Sequence, residues 1–169
     1  IVQAHGGALR VHSDPGSGTT IRVLFPVARP GGAGERRESD GPGVAGRGTE
    51  QVVDDEASVL AVTCKMLSRL GFEVLTAKDG KEAVEMYREH RSDITLVLMD
   101  LTMPRMSGEE AFYELKKLDP GARVVLASGY DEQDIAAQFA GRGLAGSIQK
   151  PYTLKKLGEV LGALLPGAN

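Results

Sequence analysis

The sequence predicts an α/β fold with a five-stranded parallel sheet over residues 49–165, and three observations carry that prediction. Short apolar runs alternate with segments of helical periodicity, the pattern of strand–helix units whose strands lie parallel. One run, Ile94-Thr95-Leu96-Val97-Leu98-Met99, reads as apolar throughout, as expected for a central strand covered on both faces. Polar residues also stand where the runs end. Asp54 and Asp55 follow Val52-Val53, Asp100 follows Met99, and Ser128 follows Val124-Val125-Leu126-Ala127. Lys150 stands two residues after Ser147-Ile148 and immediately before Pro151. Parallel sheets bind ligands at the carboxyl ends of their strands, so these five residues are expected along one edge.

The elements follow in order. The first strand ends at Val53, and the helix after Asp55 is expected to place Val59, Val62, Met66, Leu67 and Leu70 on its inner face. Gly71 stops it, and Phe72-Glu73-Val74-Leu75-Thr76 supplies the second strand. Asp79 and Glu82 form a capping pair for a helix running to about His90. After the central strand, Ser107 and Glu110 open the third helix, with Ala111, Phe112, Leu115 and Leu118 inward. Residues 123–127 form the fourth strand, and Asp131 opens a short helix. Residues 144–148 form the fifth strand. Leu154, Leu157, Leu161 and Leu164 make the apolar stripe of a last helix.

Upstream lie two other regions. Residues 8–12 and 20–25 alternate at the period of a strand around Ser13-Asp14-Pro15-Gly16-Ser17-Gly18, which predicts a hairpin. A lone hairpin is marginal, so its partner sheet is expected in a larger domain. Residues 29–48 hold seven glycines and two prolines and no periodic apolar pattern, and read as a flexible linker. The chain opens on Ile1 rather than methionine and ends soon after the last helix. It therefore reads as a fragment with no DNA-binding output domain behind it.

Charge is divided unevenly. Residues 1–47 carry six Arg against four acids, whereas residues 48–169 carry 14 basic and 19 acidic groups. That acidic balance argues against a nucleic-acid partner and suits a site that collects a cation. No apolar stretch approaches transmembrane length, so no membrane contact is expected from these residues. The single Cys64 excludes an internal disulfide and fits a reducing, cytoplasmic setting.

Three carboxylates, a hydroxyl and an amine on one edge suit a divalent cation and a phosphoryl group. Mg²⁺ favours oxygen ligands and is commonly held by one or two carboxylates with substrate oxygens and water. Asp54 and Asp55 can supply such contacts, and Asp100 can complete the cluster and present an attacking oxygen. Lys150 can bring a compact positive charge to phosphoryl oxygens, and Ser128 can donate one hydrogen bond to them. Each residue alone has a plainer reading as a helix cap, turn residue or strand end. Their joint occurrence on the proper strand ends does not.

Residues 49–165 resemble the receiver domain of two-component response regulators. The motifs are Val53-Asp54-Asp55-Glu56, Met99-Asp100-Leu101-Thr102-Met103-Pro104 with Ser107-Gly108, Ser128-Gly129 and Lys150-Pro151. The resemblance implies a doubly wound, flavodoxin-like sheet in order 2-1-3-4-5 with five helices, and a cis Lys150–Pro151 bond. It also implies phosphorylation of Asp100 by a histidine kinase, with Mg²⁺ held by Asp54, Asp55, Asp100 and the Thr102 backbone carbonyl. Onward transfer to a histidine phosphotransfer protein would follow.

Residues 1–28 resemble the end of a sensor histidine kinase ATP-binding domain, through His5-Gly6-Gly7 and the Ser13, Pro15, Gly16, Gly18, Thr19 pattern before Pro26. Together these imply the C-terminal part of a hybrid sensor histidine kinase. Two departures stand out. Glu50 and Gln51 occupy the usually apolar start of the first strand, so a short or frayed strand is expected. Ser147 replaces the usual aromatic residue three positions before the lysine, so no aromatic ring can switch there. A phosphorylation-independent interaction module is the alternative, and the retained acidic trio argues against it. A phosphatase of the haloacid-dehalogenase kind would need an acid where Thr102 stands.

Overall fold

The computed structural model describes residues 8–14, 16, 18–24, 26 and 48–165. The chain divides into two compact units, Ile1–Ser39 and Asp40–Asn169. His5-Gly6-Gly7 and residues 29–47 of the expected linker lie outside the described residues.

In the first unit, β1 (Ala8–Asp14) pairs antiparallel with β2 (Gly18–Leu24), as the alternation predicts. The turn is tighter than expected because Ser13 and Asp14 continue the strand, and Gly16 and Gly18 adopt positive φ of 84° and 96°. The register places Leu9 opposite Val23 and Val11 opposite Ile21, giving one apolar face, while Arg10 opposes Arg22 on the other.

The second unit is the expected α/β sheet. In chain order it comprises β3 (Thr49–Val53), α1 (Ala57–Arg69), β4 (Glu73–Ala77), α2 (Gly80–Glu89), β5 (Ile94–Asp100) and α3 (Gly108–Leu118). Then come β6 (Val124–Ser128), α4 (Glu132–Gln138), β7 (Gly146–Gln149) and α5 (Leu154–Leu164). The strands are parallel in the spatial order β4-β3-β5-β6-β7, which is the predicted 2-1-3-4-5. Val53, Val97, Met99, Val124 and Leu126 pack on one face with Phe112 and Leu115 of α3. Val52, Leu96, Leu98, Val125 and Ile148 pack on the other with Leu67 of α1 and with Leu157 and Leu161 of α5. Every strand between the edges is thus covered on both sides, which explains the continuous apolar reading of β5.

Local signals set the helix starts. Ser107 and Glu110 form a full capping box on α3, and Asp131 and Thr153 cap α4 and α5 through their side-chain oxygens. Asp79 caps α2 by accepting the Glu82 N–H, but the Glu82 carboxylate reaches the Lys78 N–H rather than that of Asp79.

Three expectations are corrected. β3 is not frayed: it pairs with β4 and β5 along its length, and Glu50 and Gln51 are both fully buried. A two-sided ladder overrides the poor strand preference of these residues. On α1, Val62 is 52% exposed, and Thr63 takes the buried position instead. β7 begins at Gly146, two residues later than expected, so Lys150 follows the strand directly.

Candidate functional site

The carboxyl ends of β3, β5, β6 and β7 converge, and the five polar strand-end residues lie on them or on the loops they lead into. Asp54 follows β3 and is buried, with Oδ1 accepting the Glu56 N–H at 2.9 Å just ahead of α1. Asp100 closes β5 on the adjacent strand. Ligand oxygens of Asp54, Asp55 and Asp100 lie within 4.8 Å of one another, with Asp54 buried, Asp100 partly buried and Asp55 exposed. Such a cluster of carboxylate oxygens, graded from buried to exposed, is a donor set that fits a hard divalent cation.

Lys150 reaches into this cluster from the segment that follows the edge strand β7. Its Nζ donates to Asp54 Oδ2 at 2.6 Å and lies 2.9 Å from Asp100 Oδ1. The Lys150–Pro151 bond is cis, as the motif implied, and the Lys150 N–H donates to the Ser128 carbonyl at 2.7 Å. Burial draws the ammonium towards neutrality, but its bonds to Asp54 and Asp100 outweigh that and raise its pKa above the ordinary lysine value. Burial also lifts the Asp100 carboxyl above the usual aspartate value. Lys150 opposes this shift, and the charges of Asp54 and Asp55 reinforce it.

Ser128 is buried at the end of β6, and its Oγ accepts the Tyr130 N–H at 3.0 Å. That bond leaves the hydroxyl proton free to point elsewhere. Thr102 is exposed on the loop that leads from Asp100 to α3. Gly108 returns that loop against the strand end. A Cβ there would collide with the Asp100 carbonyl oxygen, and the Gly108 N–H bonds the Leu101 carbonyl at 3.0 Å. Ser147 lies on β7, its hydroxyl donating to the Glu132 carbonyl at 3.4 Å.

Two arrangements beside the site were not foreseen from the sequence. The Tyr152 hydroxyl meets Thr63 Oγ1 at 2.9 Å and ties the segment after Lys150 to α1. Arg105, on the loop after Asp100, pairs with the buried Asp79 carboxylate. Neither pairing follows a helical or strand period.

Comparison with known proteins agrees with this architecture. Residues 51–161 match the response regulator receiver domain family. The chemotaxis protein CheY of Thermotoga maritima is 35% identical over 111 residues, covering 65% of this chain and 91% of that protein. The sensor kinase CckA of Brucella abortus is 28% identical over 173 residues, covering 98% of this chain but only 18% of the kinase. Among solved structures, a CheX–CheY–beryllofluoride–Mg²⁺ complex from Borrelia burgdorferi superimposes with TM-score 0.65 at 28% identity, covering 68% of this chain and 87% of that one. The receiver domain of the hybrid histidine kinase CckA superimposes with TM-score 0.60 at 30% identity, covering 70% of this chain and 99% of that domain. With the acidic edge, the lysine and the strand order in place, the chain belongs to the response regulator receiver domain family of two-component signalling.

Proposed function

We propose that Asp100 accepts a phosphoryl group from a histidine kinase and passes it to a histidine phosphotransfer protein. The observation that carries this reading is Lys150 bridging Asp54 and Asp100 with Asp55 in reach. A carboxylate so flanked can attack phosphorus while a positive charge already stands beside the incoming oxygens. The P–N bond of the donor phosphohistidine breaks, and the imidazole leaves. Asp54, Asp55, Asp100 and the Thr102 carbonyl would hold Mg²⁺, which when bound neutralises charge on the phosphoryl oxygens. Ser128 would turn its hydroxyl proton to one of those oxygens, and Lys150 would follow another.

The partner's histidine would approach beside α1, whose first residue is two positions beyond Asp55. Val62 is the exposed large apolar residue of that helix, near partly buried Val59 and Leu60. It would meet an apolar patch beside the partner's histidine.

The wider setting proposed is a hybrid sensor kinase working in the cytoplasm, with residues 1–28 ending its ATP-binding domain, residues 29–48 as linker and residues 49–165 as receiver. The alignment to the Brucella kinase supports it, since it covers 98% of the chain whereas the Thermotoga match covers 65%. Among the described residues no helix is long and apolar enough to cross a membrane.

Acetyl phosphate with Mg²⁺ should add one phosphoryl group to the chain by intact-mass spectrometry, and chelation should prevent it. Absence of any Mg²⁺-dependent adduct would refute the reading. Val62→Glu should label normally from acetyl phosphate yet exchange phosphate with a phosphotransfer protein about tenfold more slowly, the cost of roughly 1.4 kcal/mol at a docking contact. Equal slowing with both donors would place the defect in the acceptor site and not in docking.

A further inference from the structure

We infer that the Arg105–Asp79 ion pair is a positioning device for the loop between β5 and α3, fixing where the Thr102 carbonyl lies relative to Asp100. This rests on the metal reading proposed above and concerns residues outside the acidic cluster. Arg105 has φ 68°, and among the described residues it is the one non-glycine with positive φ. A residue bearing a Cβ resists that conformation, so its surroundings must hold it there.

The surroundings are specific. The Arg105 guanidinium pairs with Asp79 Oδ2, although the arginine side chain is 71% exposed and that of Asp79 only 4%. The other oxygen, Asp79 Oδ1, accepts the Glu82 N–H at 2.9 Å and so is fixed to the first turn of α2. The next residue repeats the tie through the backbone, the Gly80 N–H donating to the Met106 carbonyl at 3.3 Å. Gly80 is closely covered by Met106 and Ala111, leaving no room there even for a Cβ. Residues 105 and 106 are therefore fastened to residues 79 and 80.

The loop's other end is fastened as well. The Leu101 N–H donates to the Ala127 carbonyl, and the Gly108 N–H to the Leu101 carbonyl, both at 3.0 Å. Between these anchors run only Thr102, Met103 and Pro104. Met103 is buried in the core, and the Met106 N–H closes back onto the Pro104 carbonyl at 2.8 Å. Such a short segment held at both ends has little freedom, so moving the Arg105 anchor moves the Thr102 carbonyl. Groups that orient a metal's ligands from outside contribute to affinity without touching the ion.

Charge alone predicts the reverse, which makes the test decisive. Removing a cation near an acidic edge should tighten binding of a divalent ion. If Arg105 positions the loop, Arg105→Ala should instead weaken Mg²⁺ binding about tenfold, read by calorimetry or amide shifts on the full chain. Ca²⁺ affinity should change by less than about twofold, because Ca²⁺ accepts irregular oxygen geometry and Mg²⁺ does not. Asp79→Asn keeps the helix cap and removes the ion pair. It should show the same selective loss, with the double variant no weaker than either single one. Arg105→Lys should recover part of the affinity. Unchanged or tighter Mg²⁺ binding in Arg105→Ala, or equal losses for both ions, would overturn the positioning role. A wild-type chain that binds no Mg²⁺ would overturn the metal reading itself and this inference with it.

Discussion

Asp100→Asn is expected to gain no phosphoryl group under conditions where the wild-type chain is labelled. An amide oxygen is a poor nucleophile, and Asn would commit that oxygen to accepting from the Lys150 ammonium that now lies 2.9 Å from Asp100 Oδ1. Misfolding is not the expected cause of this loss. The Asp100 carboxyl already sits above its usual pKa through burial, with Asp54 and Asp55 adding repulsion, so a neutral side chain costs the fold little. Lys150 would keep its 2.6 Å bond to Asp54. The variant should therefore unfold at the same or a slightly higher denaturant concentration while remaining silent to acetyl phosphate. Intact-mass spectrometry and peptide mapping check both the loss and the site. Undiminished labelling of the variant would move the acceptor elsewhere, Asp55 being the next carboxylate on the edge.

The acidic edge was legible because each of its residues ends an apolar run, and a parallel sheet turns that one-dimensional regularity into a single line of side chains. Ser107 and Glu110 were legible for a similar reason, since a capping box is local. Interactions joining distant segments left no such trace. The sequence suggests no partner for Arg105 on a helix that starts before the central strand, nor for Tyr152 on Thr63 of α1. Val62 was misplaced because apolar identity says only that a residue could face inward, and α1 turns Thr63 in towards Tyr152 instead. Two polar residues before Val52 argue for fraying, but the strand lies inside the sheet between β4 and β5, and those neighbours fix its backbone whatever the side chains.

The buried start of β3 carries a large expected effect on stability. Glu50 is fully buried, and burial lifts its pKa from 4.5 to about 7 against the opposing influence of the Thr95 hydrogen bond and the Arg123 charge. One carboxylate oxygen accepts from Thr95 Oγ1 at 2.7 Å, and the other has no partner. The folded chain thus holds the Glu50 proton more tightly than the unfolded chain does. Stability from this group is greatest below the unfolded pKa and falls as pH rises towards 7, after which the loss is complete. With each unit of pKa shift equivalent to about 1.4 kcal/mol, the loss comes to about 3 kcal/mol, large against the total stability of a small domain. Glu50→Leu removes the titration, and the Thr95 hydroxyl keeps the Thr49 carbonyl at 3.3 Å as an alternative acceptor. The variant should gain on the wild type by about 2 to 3 kcal/mol between roughly pH 5 and pH 8, measured as the difference between their urea unfolding curves. Taking that difference cancels every other group that titrates in the window. Parallel stability curves for the two proteins across that range would show that Glu50 finds water or a cation in solution, and that the start of β3 opens enough to admit one.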